Sequence, residues 1–320
     1  MEYVRLGTAG VQVSQICLGT NMLGGYVDEK ASIEVVRSFM DAGGNFIDLS
    51  DTYNEGKSEE AVGKAVKGRR DEVVLGSKVS GTTGPGPNDR WASRKHVMSS
   101  VEGSLRRLGT DYLDLYTIHF WNPDVPLEES LRAFDDLVRQ GKVRYVGVSN
   151  FSGWQVMKAL WTADKMGLDP IRAVQTEFSL LKREPEAELF PVCVDQNLIS
   201  TPYWVLQAGL FTGRYQQGKE APADSRFANR PGLAKRFEKD EAYNAVQQVV
   251  ALAEESGHTP TEVSIAWALS KPSVGSVIIG SSKPEQVKAN LAAVDVRLGN
   301  EVLGALDAIT AVPAVVRTPP

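Results

Sequence analysis

The chain has 320 residues, 42% of them hydrophobic, and a formal charge of −5 from 35 basic and 40 acidic side chains without a block of one sign. That balance argues against nucleic-acid binding and favours solubility, and no stretch approaches the roughly 20 apolar residues of a membrane span. The opening MEYVRLGTAG has no apolar h-region and no transit bias, so a cytoplasmic protein is expected, with Cys17 and Cys193 as buried reduced thiols.

Val4 and the residues up to 12 read as a small hairpin turning at Gly7-Thr8-Ala9-Gly10, placed to plug one end of the fold. Ile16-Cys17-Leu18-Gly19 is a buried strand followed by a Gly-containing loop over 20–25. Strand and helix patterns then alternate: helix 32–42, strand 46–48, helix 58–66, strand 73–78, a polar Gly/Pro loop over 79–92, helix 93–108, strand 113–119 and helix 127–140. Strand 143–149, helix 153–166, strand 173–177, helix 185–196 and strand 198–203 continue the series. An irregular polar insertion over 216–240 precedes helices over 241–256 and 261–270, strand 277–280, helix 284–293 and an amphipathic tail segment near 299–309.

Eight short apolar strands, each followed by a helical pattern, predict a (β/α)8 TIM barrel with an N-terminal β-hairpin and a C-terminal helical tail. Such barrels take about 250 residues plus insertions, so one domain is expected over 1–320. An open doubly wound sheet competes. It needs fewer units, and no G-x-G-x-x-G follows any strand.

Barrel active sites sit at the C-terminal ends of strands. Three successive strand ends here carry Asp48 with Tyr53 just beyond it, Lys78, and His119. Singly, each has an ordinary structural reading: a loop acid, a surface lysine, a hydrogen-bonded core histidine. Together they form an acid–base set. A phenol with a pKa of about 10 is a poor acid at neutral pH, and a cation beside it lowers that value. Lys78 is that cation, Asp48 holds its ammonium, and His119 can hydrogen-bond a substrate oxygen. This is the equipment for protonating a carbonyl oxygen as it becomes an alkoxide. Side chains supply no hydride, so a nicotinamide is implied.

The segments FIDLSDTYNEGKSEE, VVLGSKV, DLYTIH, GVSNF, VQTEFSLL, AGLFTGRY and VIIGSSKPEQVKANL, in this order, resemble the aldo-keto reductase superfamily, including its bacterial and potassium-channel β-subunit branches. The resemblance implies Tyr53 as general acid, Asp48 and Lys78 tuning it, and His119 orienting the carbonyl. It implies NADP(H), ahead of NAD(H), bound across the barrel mouth without a Rossmann fold. Gly19, Thr20 and Asp48 fall at the cofactor end of the early strands. Ser149, Asn150 and Gln175 match the carboxamide positions, Tyr203 the aromatic that stacks on nicotinamide, and Leu206 the loop after it. Arg214 replaces the usual lysine toward the pyrophosphate, and Arg226 resembles a basic residue folded over the cofactor in the channel-subunit branch. Gly280, Ser282, Gln286 and Asn290 match the adenosine end, where a helix N-terminus offers N–H groups to phosphate. Two departures stand out: Trp204-Val205 occupies the place of the usual serine-proline, and no arginine or lysine stands at Gly280 or Ser282 for a 2′-phosphate, leaving that to Lys283, Arg226 or serine hydroxyls.

The run Gly81-Thr82-Thr83-Gly84-Pro85-Gly86-Pro87 lacks the G-K-[ST] of a phosphate loop and is expected to be a substrate loop. His96, His119 and His258 have no metal-ligand spacing with the cysteines, so no metal is expected; no G-x-S-x-G occurs. Met22, Tyr26, Trp91, Phe120 and Trp121 are candidates, with Tyr53 and His119, for the wall of a substrate pocket. Substrate identity is expected to lie in 81–91, 216–240 and the tail. Two function classes remain open: a reductase of a small-molecule aldehyde, ketone or keto-sugar, and a cofactor-binding regulatory subunit on the same barrel, either one open to homo-oligomerisation.

Overall fold

The computed structural model describes residues 1–312 apart from 224, 238 and 239. Part of the 216–240 insertion and the end of the tail, both expected to carry substrate identity, therefore lie outside the described residues. Strands β1 (Tyr3–Arg5) and β2 (Gln12–Ser14) form the antiparallel hairpin, paired Tyr3 to Ser14 and Arg5 to Gln12. Eight parallel strands follow: β3 (Ile16–Gly19), β4 (Phe46–Asp48), β5 (Val74–Val79), β6 (Leu113–Ile118), β7 (Val143–Ser149), β8 (Ile171–Gln175), β9 (Ile199–Ser200) and β10 (Val277–Gly280). Their spatial order is β10-β3-β4-β5-β6-β7-β8-β9. The ring closes where the Ile278 amide of β10 donates to the Pro202 carbonyl and Tyr203 bridges Ile278. This is the (β/α)8 barrel expected.

Two apolar cores explain the sequence pattern. Inward side chains of alternate register, Cys17, Phe46, Val74, Leu115, Ala173, Ile199 and Ile278, fill the barrel together with Leu6, Ala9 and Val13 of the hairpin. The hairpin is thus the plug at the N-terminal end, and the opposite end is left open. Outward strand residues meet the surrounding helices in the larger core, as continuous apolar strands require. Both cysteines are buried, and burial pushes the Cys193 thiol up to about 12. The tail helix Asn300–Ile309 is tied down by Asp307, which accepts from Trp267 Nε1 at 2.9 Å and Lys271 Nζ at 2.6 Å. Among the described residues no helix is long and apolar enough to cross a membrane.

Element boundaries depart from the periodic pattern where side chains outside that pattern set them. The first barrel helix spans Glu29–Asp41, starting early because Asp28 caps Ala31. The helix expected over 185–196 splits into a 3-10 turn, Glu184–Glu186, and a short helix, Leu189–Asp195. The strand expected over 198–203 shrinks to two residues, its remainder reduced to the bridges that close the barrel. The insertion is not wholly irregular: Arg226–Asn229 and Pro231–Ala234 form single helical turns.

Candidate active site

Register brings three of the four predicted groups to one rim. Asp48 ends β4 opposite Gly76 of β5, and Lys78 lies two residues further along β5, opposite Thr117 of β6. Neighbouring strands also anchor the first loop residue beyond β4 and β6: the Leu49 amide donates to Gly76 at 2.7 Å and the His119 amide to Val79 at 2.8 Å. Tyr53 starts a tight turn whose next residues, Asn54 and Glu55, adopt left-handed φ of 50° and 59°. The Asn54 amide nitrogen offsets that strain by donating to the carbonyls of Asn21 and Leu23 at 3.2 and 2.7 Å. The turn therefore returns the chain beneath the loop after β3 and leaves the phenol over β5.

The resulting geometry is compact. Lys78 Nζ lies 2.7 Å from Asp48, donates to the Leu49 carbonyl at 2.6 Å, and donates to Tyr53 Oη at 3.1 Å. Asp48 and Lys78 are almost fully buried, at 3% and 2% exposed. Gln175 Nε2 holds the other side of Asp48 at 2.9 Å. His119 meets Tyr53 edge-on at 6.2 Å between ring centroids and stacks on Phe120 at 4.2 Å. Its backbone carbonyl takes the Asn150 amide at 2.9 Å, and Asn150 in turn accepts from Tyr203 Oη at 2.7 Å.

Electrostatics follow burial. Asp48 and Tyr53 raise the Lys78 pKa above its ordinary value and outweigh its desolvation, so it stays an ammonium. Burial pushes the Tyr53 phenol above its ordinary value, Lys78 acts in the opposite sense and is outweighed, and Asp48 adds to the rise. The net direction is opposite to the one expected from the cation alone. Burial, with Lys78 beside it, drives His119 well below the ordinary imidazole value, so the ring is neutral. Its Nδ1 is buried with no partner among the described residues.

Above these groups opens a cavity of about 840 Å³. Every candidate cofactor residue lines it: Gly19, Thr20 and Asp48 near the early strands; Ser149, Asn150 and Gln175 at the ends of β7 and β8; Tyr203, Leu206, Arg214 and Arg226 in the loops after β9; and Gly280, Ser282, Gln286 and Asn290 after β10. Of the substrate candidates, Met22, Tyr26, Tyr53, His119 and Phe120 line it; Trp91 and Trp121 do not. Trp91 is turned away by a left-handed backbone (φ 65°), with its N–H on the Ser80 carbonyl and its own carbonyl bound by His96 Nδ1 at 2.7 Å. Trp121 packs edge-on against Phe151 and Trp154 instead.

The lining also includes Trp204, noted above only as a departure from the family pattern, and Glu177, Tyr215, Thr259 and Glu262, which sequence reasoning did not single out. Thr259 and Glu262 form the capping box of helix Pro260–Leu269, a T-x-x-E signature present in the sequence just ahead of the helix expected over 261–270. The insertion crosses the mouth, with Asn229 Nδ2 3.3 Å from Tyr26 Oη and Phe227 stacked on Tyr215 at 4.1 Å.

The cavity suits a nicotinamide dinucleotide. Gln175 Oε1 and Arg226 Nε are buried without partners among the described residues, one an acceptor for an amide and the other a donor for an anion. A Cβ at Gly280 would approach Met22 Cε to 3.2 Å and one at Gly19 would strike Ile278 Cγ2 at 2.9 Å, so small residues keep this floor open.

The sequence matches the family model described as "Aldo/keto reductase family" over residues 15–311. It is 34% identical to a "Probable voltage-gated potassium channel subunit beta" of Arabidopsis thaliana, over 92% of each chain. It is 35% identical to "Aldo-keto reductase YhdN" of Bacillus subtilis (strain 168), over 90% of this chain and 87% of that one. It is also 32% identical to "Norsolorinic acid reductase" of Aspergillus flavus, over 94% of this chain and 78% of that one. A match of this extent, on a barrel whose strand ends converge on a buried lysine, makes the chain a member of the aldo/keto reductase family of oxidoreductases.

Proposed function

We propose that the protein is an NADPH-dependent reductase of an aldehyde or ketone, keto-sugars included, with Tyr53 as general acid. The observation that carries this reading is the Lys78 ammonium, hydrogen-bonded at once to Asp48 and to Tyr53 Oη on the floor of the cavity. Because Lys78 donates to the phenol oxygen, the phenol's own hydrogen is free to be offered to the cavity. Burial keeps that hydrogen in place at neutral pH, so the acid is loaded before substrate arrives. Neutral His119 supports a second hydrogen bond to the same carbonyl oxygen. As the oxygen gains charge, the phenol proton passes to it and the ammonium 3.1 Å away stabilises the phenolate left behind.

Reduced nicotinamide, when bound, supplies the hydride to the carbonyl carbon. Gln175, Ser149 and Asn150 would hold its carboxamide and Tyr203 its ring face. Arg214 would meet the pyrophosphate. Ser282, Gln286 and Asn290 would hold the adenosine end, with Arg226 favouring NADP(H) over NAD(H). Ser282 already presents its N–H and hydroxyl to Gln286 Oε1 at 2.8 and 3.0 Å, so that end is ordered.

The likeness to a channel β subunit supports a second reading, a cofactor-binding regulatory protein with little turnover. Incubating the protein with NADPH and a panel of aldehydes, ketones and keto-sugars, and following nicotinamide oxidation, separates the two. Turnover is expected. Tight cofactor binding without turnover across the panel would favour the regulatory reading, and equal or tighter NADH binding would overturn the NADPH preference.

A further inference from the structure

Helix Gly153–Met166, on the outside of the barrel, leaves Trp154, Met157 and Trp161 facing solvent at 55%, 37% and 60% exposed. Their spacing of three and four residues sets them on one face. Val194, 53% exposed, is on the adjoining helix Leu189–Asp195. Among the described residues the other large exposed apolar side chains are Tyr26 and Phe120 at the cavity mouth, Met1 and Tyr3 at the hairpin, and Val312 in the tail. The tryptophans have no part in the site.

A tryptophan offers up to about 250 Å², so the two together leave roughly 290 Å² of ring exposed and the four side chains roughly 450 Å². The apolar share of a standard interface, about 800 Å² per partner, is of the same size at roughly 500 Å². We propose that this tryptophan face is a two-fold self-association surface that joins two copies of the chain helix to helix.

The charges at the two ends of the face specify a second copy as the occupant. Lys165, over the Trp161 ring at 5.0 Å, marks one end. Glu188 marks the other, where its side chain closes on Gly153 so tightly that a Cβ there would be 2.7 Å from Glu188 Cγ. Antiparallel pairing about a two-fold axis level with Ala159 sets Met157 against Trp161 of the second copy, a sulfur–aromatic contact. It sets Trp154, whose indole N–H can donate, against exposed Asp164, and brings Lys165 to the end that carries Glu188. Each contact occurs twice, as an isologous interface requires. An anionic membrane is the poorer fit: Asp164, Glu188 and Asp195 about the face outnumber its exposed Lys158 and Lys165, and the chain carries −5 overall.

Sedimentation velocity on the full chain from 1 to about 50 μM at moderate salt tests this. The expected species is a dimer of twice 34.8 kDa. Trp161→Glu should weaken association by about 100-fold while leaving the far-UV circular dichroism and cofactor binding unchanged. Lys165→Glu and Glu188→Lys should each weaken the dimer, and the double exchange should restore it. A monomer at every concentration overturns the proposal, as does an oligomer indifferent to Trp161→Glu or a double exchange that fails to rescue. Binding of the monomer to phosphatidylserine vesicles, lost in Trp161→Glu, would assign the face to a membrane instead.

Discussion

Asp51 should make the protein lose stability as pH rises from the acid side to neutrality, and Asp51→Asn should abolish that loss. Asp51 is 5% exposed, two residues before Tyr53. Its Oδ2 has no close partner among the described residues, its Oδ1 accepts from the Ser50 hydroxyl at 3.3 Å, and the Ser100 hydroxyl also acts on the carboxyl. Beside it Glu59, fully buried, takes the Arg107 guanidinium at 2.7 Å and the Ser77 hydroxyl at 2.6 Å. The Tyr116 hydroxyl, also buried, has no partner among the described residues. Burial first and the Glu59 charge second push the Asp51 carboxyl up to about 7. The unfolded chain would release this proton near 4, so the folded state holds it more tightly. Its stabilising contribution is complete below pH 4, is lost progressively as pH rises from 4 to 7, and is level above that. A shift of about 3 units is worth about 4 kcal/mol, or about 6 °C of melting temperature for a chain this long. Asparagine is isosteric with the protonated acid and does not titrate. By scanning calorimetry the variant should exceed wild type by about 2 kcal/mol, roughly half of that 6 °C, at pH 5.5 and by nearly all of it at pH 8.5. Every other titrating group is common to both proteins and cancels. A melting-temperature difference that stays constant from pH 5.5 to 8.5 would refute the protonated Asp51.

Tyr53→Phe should lower kcat for carbonyl reduction by at least about 100-fold with the NADPH dissociation constant unchanged; wild-type kcat would mean that another group gives the proton. Lys78→Met should cost about 3–5 kcal/mol in denaturant unfolding because it removes the partner of a buried carboxylate, and adding Asp48→Asn should recover most of that; a single-variant cost under about 1 kcal/mol would refute the energetic coupling of the pair. His119 lies below its unfolded value, so its stability contribution is present above about pH 6.5 and is lost as pH falls through the folded value. Its ring nitrogen NMR shifts should remain those of neutral imidazole at pH 5.5, and protonated shifts there would contradict the burial argument. Gly56→Ala should destabilise by about 1–3 kcal/mol, because φ is 86° and the new Cβ would lie 2.6 Å from Arg107 Cδ; an unchanged melting temperature would show that Arg107 moves freely.

The sequence makes legible what the backbone alone determines. Strand ends follow from apolar runs and turn residues, and parallel pairing then brings Asp48, Lys78 and His119 together without further information. Side-chain partners across long separations are not legible. Glu59 reads as a solvated acid in the first turn of a helix, where acids are common. Only the fold shows it fully buried, because Arg107, 48 residues later, crosses over Gly56 to reach it. Trp91 and Trp121 read as pocket walls because their loops reach the rim, but left-handed backbone at one and aromatic packing at the other turn them aside. The direction of the Tyr53 shift is hidden for a related reason: the cation is visible in sequence order, whereas the depth of burial that outweighs it is a property of the closed barrel.

The Lys78–Asp48 pair is poorly explained as a source of stability. Taking two charges out of water costs several kcal/mol each, and a hydrophobic pair of equal volume is often at least as stable. The barrel nonetheless surrounds the pair with further polar groups, the Leu49 carbonyl on the ammonium and Gln175 Nε2 on the carboxylate. Those contacts satisfy the pair without neutralising it. They also leave one ammonium N–H for Tyr53 and leave Gln175 Oε1 unspent toward the cavity. The arrangement makes sense if its product is a permanently charged donor 3.1 Å from a phenol that burial keeps protonated. Removing both charges by Lys78→Met with Asp48→Asn would then give a protein of near-wild-type stability and little reductase activity, separating the chemical role of the pair from its part in the fold.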